Sequence, residues 1–215
     1  MEDTIKIISR IKRQVRQFAL PSVTITSRTK DPYLVLISCI LSLRTKDKVT
    51  HQAGKRLFAL ADTPKKMIQL SAARLARIIY PVGFYRTKAK TIIALSRRLL
   101  SDFAGKVPRA QEQLLGLEGV GRKTANLVLG LGFEVPAICV DTHVHRISNR
   151  LGWVRTKTPE QTEEALMRRI PKKYWIMLNT VMVAFGQHIC VPVSPFCSKC
   201  TVQPWCAQRA VTRTR

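Results

Sequence analysis

An all-α fold is predicted by three observations. Apolar residues recur at helical spacing through nearly every segment, threonine–proline or aspartate–proline pairs mark helix starts, and alternating apolar–polar strand patterns are absent. Together they give about ten helices around a helical core. At 215 residues the chain is long enough for one good-sized core, or for two small lobes that share one.

Taken in order, Ile5, Ile8, Ile11, Val15 and Phe18 form an apolar stripe with Lys and Arg between them. Asp31-Pro32 is an N-cap followed by proline in the first turn, and it opens a mostly buried stretch to Leu43. Thr63-Pro64 and Thr158-Pro159 repeat that start signal. Further helices are predicted over Asp47–Ala61, Pro64–Leu70, Ala72–Tyr80, Tyr85–Phe103 and Gln111–Leu115, with Gly83 and Gly105 between them. Arg122–Gly130, Thr142–Leu151, Pro159–Ile170 and Lys173–Gln187 complete the set, and no repeat or low-complexity linker interrupts it.

The charge balance narrows the partners. Thirty-seven Lys and Arg stand against thirteen Asp and Glu, a net charge of +24. Such an excess points to a polyanion. An anionic membrane is the weaker partner, because the basic residues are spread along the chain and not gathered in a tail or one amphipathic helix. No signal peptide is apparent, and the longest apolar run, Tyr33–Leu43, is too short to span a bilayer. A cytoplasmic or nucleoid-associated protein with reduced thiols is therefore expected.

Leu117-Glu118-Gly119-Val120-Gly121-Arg122-Lys123-Thr124-Ala125 brings a short helix to a glycine turn and starts a new helix at once. Glycines permit a tight turn and close approach of a ligand. The N–H groups and dipole at the new helix start then offer a phosphate site. This is the form of a helix-hairpin-helix, which grips a nucleic-acid backbone without reading sequence. An ordinary helix–turn–helix corner is the simpler alternative. Lys123 stands at the same helix start, where a phosphate contact is its plainest role. A nucleophilic role requires the neutral amine, which a helix N-terminus among cations favours.

Val140-Asp141-Thr142-His143-Val144-His145-Arg146 places Asp141 between an apolar run and a helical pattern. Aspartate is a favoured N-cap. The same carboxylate could stabilise an oxocarbenium-like state beside a sugar. Cys39 and Cys139 read as buried small hydrophobes. Cys190, Cys197, Cys200 and Cys206 follow the last helix in a proline-containing loop and imply a metal site. Zinc prefers two short cysteine pairs. With a single short pair and apolar Val191, Val193, Phe196 and Trp205 nearby, spacing favours a [4Fe–4S] cluster and leaves zinc open.

The hairpin LEGVGRKTA, the VDTH segment about twenty residues on and C-x6-C-x2-C-x5-C together resemble the endonuclease III branch of the helix-hairpin-helix DNA glycosylases, over essentially the whole chain. The resemblance implies a six-helix barrel over residues 25–135 and an iron–sulfur lobe built from 1–24 and 136–215. It implies that Lys123 is a Schiff-base nucleophile and Asp141 the essential carboxylate. It also makes Cys190, Cys197, Cys200 and Cys206 the ligands of a [4Fe–4S] cluster. Gly119, Val120, Gly121, Arg122, Thr124 and His143 become DNA contacts. The partner implied is double-stranded DNA with a damaged base or abasic site, bound by a monomer.

Four departures from the family pattern stand out. Glu118 replaces a common proline, and Val191–Phe196 carries none of the basic residues usual between the first two cysteines, which Lys199 or Arg209 could replace. Arg44 stands where family members often have the glutamine that fills the gap left by a flipped base. Phe84 occupies the second wedge position, commonly leucine. The expected activity is that of a bifunctional DNA glycosylase and AP lyase that removes damaged pyrimidines and cuts 3′ to the lesion by β-elimination. The alternatives are a monofunctional mismatch glycosylase, which would lack the lysine, and a non-catalytic damage-sensing module on the same fold.

Overall fold

The computed structural model describes residues 2–215, in twelve α-helices and three short 3-10 turns, with no strand among the described residues. The helices are α1 (Glu2–Val15), α2 (Ser22–Ser27), α3 (Pro32–Ser42), α4 (Asp47–Phe58), α5 (Pro64–Met67) and α6 (Ala72–Ile79). Then follow α7 (Tyr85–Phe103), α8 (Gln111–Leu115), α9 (Arg122–Phe133), α10 (Thr142–Arg150), α11 (Pro159–Arg169) and α12 (Trp175–His188). The aspartate– and threonine–proline starts act as predicted. Asp31 accepts from the Tyr33 and Leu34 N–H groups, Thr63 from Lys66 and Thr158 from Gln161.

The helix that sequence reading missed is α2. Its residues Ser-Val-Thr-Ile-Thr-Ser are β-branched and polar, poor helix formers on their own. Tertiary contacts override that preference. The carboxylate of Asp47 accepts the Ser22 N–H at 3.0 Å, and Thr26 donates to the Ser22 carbonyl.

The chain divides into two compact units, Ser22–Val135 and Met1–Pro21 with Pro136–Arg215. In the first unit α3 is the central element, against α2, α4, α7 and α9. Nearly all of Tyr33–Leu41 is buried, which explains why this helix is apolar on every side. Leu36, Ile37, Ile40, Leu57, Met67, Leu75, Ile79 and Ile92 are among the unit's largest fully buried side chains. Each contributes about 1.5–3 kcal/mol of transfer free energy. In the second unit α1, α10 and α12 bury Ile7, Ile8, Ile11, Val144, Ile147, Met182 and Phe185, and Cys190, Cys200 and Cys206 pack against that core. No helix among the described residues is long and apolar enough to cross a membrane.

Candidate functional site

The hairpin between α8 and α9 is anchored by Leu117 and Val120, both buried, and by Arg98, which donates to the Gly116 carbonyl. Gly119 has φ +78°, and a Cβ there would stand 2.6 Å from the Thr91 side chain, so both conformation and space call for glycine. Gly121 differs. It is the N-cap of α9, and a Cβ there would meet nothing within 4 Å. The backbone at the start of α9 therefore opens on free space, as a phosphate site requires. Arg122 is exposed, whereas the Val120 and Thr124 side chains point inward, at 6% and 3% exposure. Only the main chain of those two residues is available to an outside ligand.

Lys123 follows in the first turn of α9 and is half-buried. It lies near Cys39 of α3. Burial pushes that thiol up to about 12, with the Lys123 charge opposing the shift.

Arg44 and Phe84 come together in the same unit. Both are exposed, both have left-handed backbones (φ 50° and 57°), and the Arg44 guanidinium carbon lies 5.7 Å from the Phe84 ring centroid. The two segments are joined by Thr45 Oγ1, which accepts the Gly83 N–H at 3.1 Å.

In the other unit Asp141 caps α10. One oxygen, Oδ1, accepts the N–H groups of both His143 and Val144 at 2.9 Å. The His143 ring packs on Gly186 of α12, where a Cβ would come within 2.4 Å of it, and lies 3.2 Å from Arg146 Nη2. Arg146 also donates to the Cys190 carbonyl at 2.8 Å.

All four candidate cysteine ligands line one cavity, walled by Ile147, Phe185, Ile189, Phe196 and Val202. Arg150 Nη1 points at Cys190 Sγ from 3.5 Å, and the Gln208 N–H points at Cys206 Sγ from 3.4 Å. Burial pushes the Cys200 thiol up to about 11, and the neighbouring thiols add to the shift. Among the described residues no three acidic, histidine or cysteine side chains converge to hold a single metal ion. The donor set is thus four thiols around a shielded space, with N–H groups aimed at two sulfurs.

The base excision DNA repair family of the HhH-GPD superfamily matches residues 37–172. Endonuclease III of Thermotoga maritima is 50% identical over 82% of this chain and 83% of its own length. The chain belongs to the endonuclease III family. Endonuclease III of Bacillus subtilis is 37% identical, over 83% of this chain and 82% of its own. A solved structure of a trapped endonuclease III–DNA covalent intermediate superimposes with TM-score 0.84 at 33% identity, covering 96% of this chain and 95% of that one. As a member of that family, the protein is an enzyme of base excision DNA repair, a DNA glycosylase and AP lyase.

Sequence reading missed groups that brace the candidate residues within each unit. Lys88 occupies a core position on the face of α7 that carries Ala89 and Ile92, and a lysine in an apolar stripe was the available signal. Arg146 and Arg150 sit one turn apart on α10 and read as two more surface cations, yet both donate to the cysteine loop.

Proposed function

We propose that the protein binds duplex DNA containing an oxidised or ring-damaged pyrimidine, or an abasic site, and cuts it through a Schiff base on Lys123. The observation that carries this reading is the place of Lys123, in the first turn of α9 directly behind a glycine cap that opens on free space. The hairpin main chain and Arg122 hold backbone phosphate, with the net charge of +24 behind them. The lesion nucleotide leaves the stack.

The amine of Lys123 adds to C1′, the bond from C1′ to the base breaks, and the base departs with a proton. Loss of a proton from the nitrogen leaves the aminal. The nitrogen lone pair then opens the sugar ring: the C1′–O4′ bond breaks, O4′ takes up a proton, and the protonated imine remains at C1′. Removal of a C2′ proton then expels the 3′ phosphate oxygen by β-elimination. The carboxylate of Asp141 stabilises the positive charge that grows at the sugar as the base leaves.

Cys190, Cys197, Cys200 and Cys206 suit a [4Fe–4S] cluster, because four thiols share one apolar-walled cavity and N–H groups address two of the sulfurs. Such a cluster braces the cysteine loop and supplies no step of the reaction. In this scheme the enzyme is a monomer acting on chromosomal DNA in the cytoplasm.

The test is reductive trapping. With abasic-site DNA and borohydride the protein should become covalently attached, and Lys123→Ala should bind the same DNA without trapping or incision. Normal nicking by that variant would remove Lys123 as nucleophile.

A further inference from the structure

Lys88 is 7% exposed, yet its partners are two main-chain carbonyls and a hydroxyl, with no carboxylate among them. Its ammonium donates to Leu41 O at 2.9 Å, to Leu43 O, and to Thr45 Oγ1 at 3.1 Å. The two carbonyls belong to the C-terminal end of α3, where helix geometry leaves acceptors without intrahelical partners. Three donors thus meet three acceptors. Burial pushes the ammonium down to about 8, and the three oxygens oppose that by favouring the protonated form.

Thr45 extends the node. Its Oγ1 donates to Leu43 O at 3.1 Å and accepts the Gly83 N–H at 3.1 Å. Gly83 presses so closely on the Arg44 main chain that a Cβ would lie 2.5 Å from the Arg44 carbonyl oxygen. The α3–α4 segment and the segment before α7 are therefore joined on either side of one buried charge. Each then presents a left-handed, exposed residue, Arg44 or Phe84. Left-handed backbone at two bulky residues persists only where the surroundings over-determine it, and Lys88, Thr45 and Gly83 are those surroundings.

We propose that Lys88, acting through Thr45, is the positioning residue that holds Arg44 and Phe84 as one preformed wedge for the gap a flipped nucleotide leaves. This rests on Arg44 and Phe84 being the gap-filling pair. A wedge that is already ordered enters the stack without a further ordering cost, and its tips stay in register with each other. A lysine that merely closes the end of α3 would contribute to stability alone.

The experiment uses the whole protein and a duplex carrying a tetrahydrofuran abasic analogue opposite 2-aminopurine, whose fluorescence rises when the orphan base is unstacked. Lys88→Met and Thr45→Val should each lose most of that rise. Each should also lower the preference for duplex over single-stranded abasic DNA in the lyase reaction by about tenfold, since a small misplacement of a positioning group is amplified in rate. Arg44→Ala and Phe84→Ala should lose the fluorescence rise as well. If those two keep it, the gap-filling pair is wrong and the positioning role falls with it. If they lose it while Lys88→Met and Thr45→Val keep it, the pair stands and the positioning role is overturned. An equal loss on duplex and single strand would also overturn it, as general damage to the fold. Should Lys88→Met fail to fold, Thr45→Val, which removes one hydroxyl at nearly constant shape, decides alone.

Discussion

Arg150 Nη1 stands 3.5 Å from Cys190 Sγ, and the same guanidinium donates to the carbonyls of Val191 at 2.7 Å and Pro192 at 2.6 Å. One buried arginine thus fixes both the first cysteine and the path of the loop behind it. If the four thiols hold a [4Fe–4S] cluster, the purified protein is brown, with the broad visible absorbance of thiolate-bound iron. Arg150→Met should weaken retention of the cluster by roughly 10- to 100-fold, the usual effect of removing an outer-shell partner. Visible absorbance followed in air, with iron and sulfide analysis, measures this. A colourless, active protein with stoichiometric zinc would overturn the cluster.

The two glycines of the hairpin separate fold from binding. Gly119→Ala puts a side chain at φ +78° and against Thr91, so it should destabilise by more than about 1 kcal/mol. Gly121→Ala meets nothing within 4 Å and should leave Tm close to that of the parent. Its methyl group would instead occupy the space a phosphate needs, so DNA affinity should fall for all sequences alike. Thermal melts and binding isotherms on two unrelated duplexes read both effects. A large loss of Tm for Gly121→Ala would mean that the open space is not open.

Asp141→Asn separates the cap from the charge. Both N–H groups of the cap end on Oδ1, and asparagine caps a helix about as well as aspartate. The variant should therefore melt like the parent, while base excision drops by roughly a hundredfold, the scale for losing a main electrostatic group. Single-turnover excision measures it, and near-normal rates would leave Asp141 a cap alone.

Helix positions were legible because their causes are local. The Asp31, Thr63 and Thr158 caps, the stripe of α1 and the limits of α7 follow from short-range spacing. The glycine hairpin and the cysteine spacing were legible for the same reason, since each packs its chemistry into one short stretch. What stayed hidden depends on residues far apart in the chain. The Asp47 carboxylate that starts α2, the ammonium of Lys88 under Thr45, and the grip of Arg150 on the cysteine loop arise only once the chain has folded. In a sequence with so many cations, nothing local sets Arg150 apart from surface charge, and only its place in an apolar stripe marks Lys88.

Arg44 is where the chain departs from the family habit of a glutamine, and the structure sharpens what that change does. Glutamine offers one acceptor and two donors and suits several partner bases. The guanidinium of Arg44 has donors only, in a planar fork that matches the O6 and N7 acceptors of guanine. It lies 5.7 Å from the Phe84 ring centroid on an exposed left-handed turn. Excision should then be faster opposite guanine than opposite adenine. A bidentate contact is worth about 1–3 kcal/mol, or roughly 5- to 150-fold in rate. Arg44→Gln should flatten that preference while leaving Lys123 trapping intact. A phosphate contact behaves otherwise: Arg44→Gln would weaken binding equally for every partner base and lower the salt slope by about one. One lesion measured opposite each of the four bases, in both proteins and at two salt concentrations, separates them. An unchanged partner preference with a reduced salt slope assigns Arg44 to the backbone and removes it from the gap.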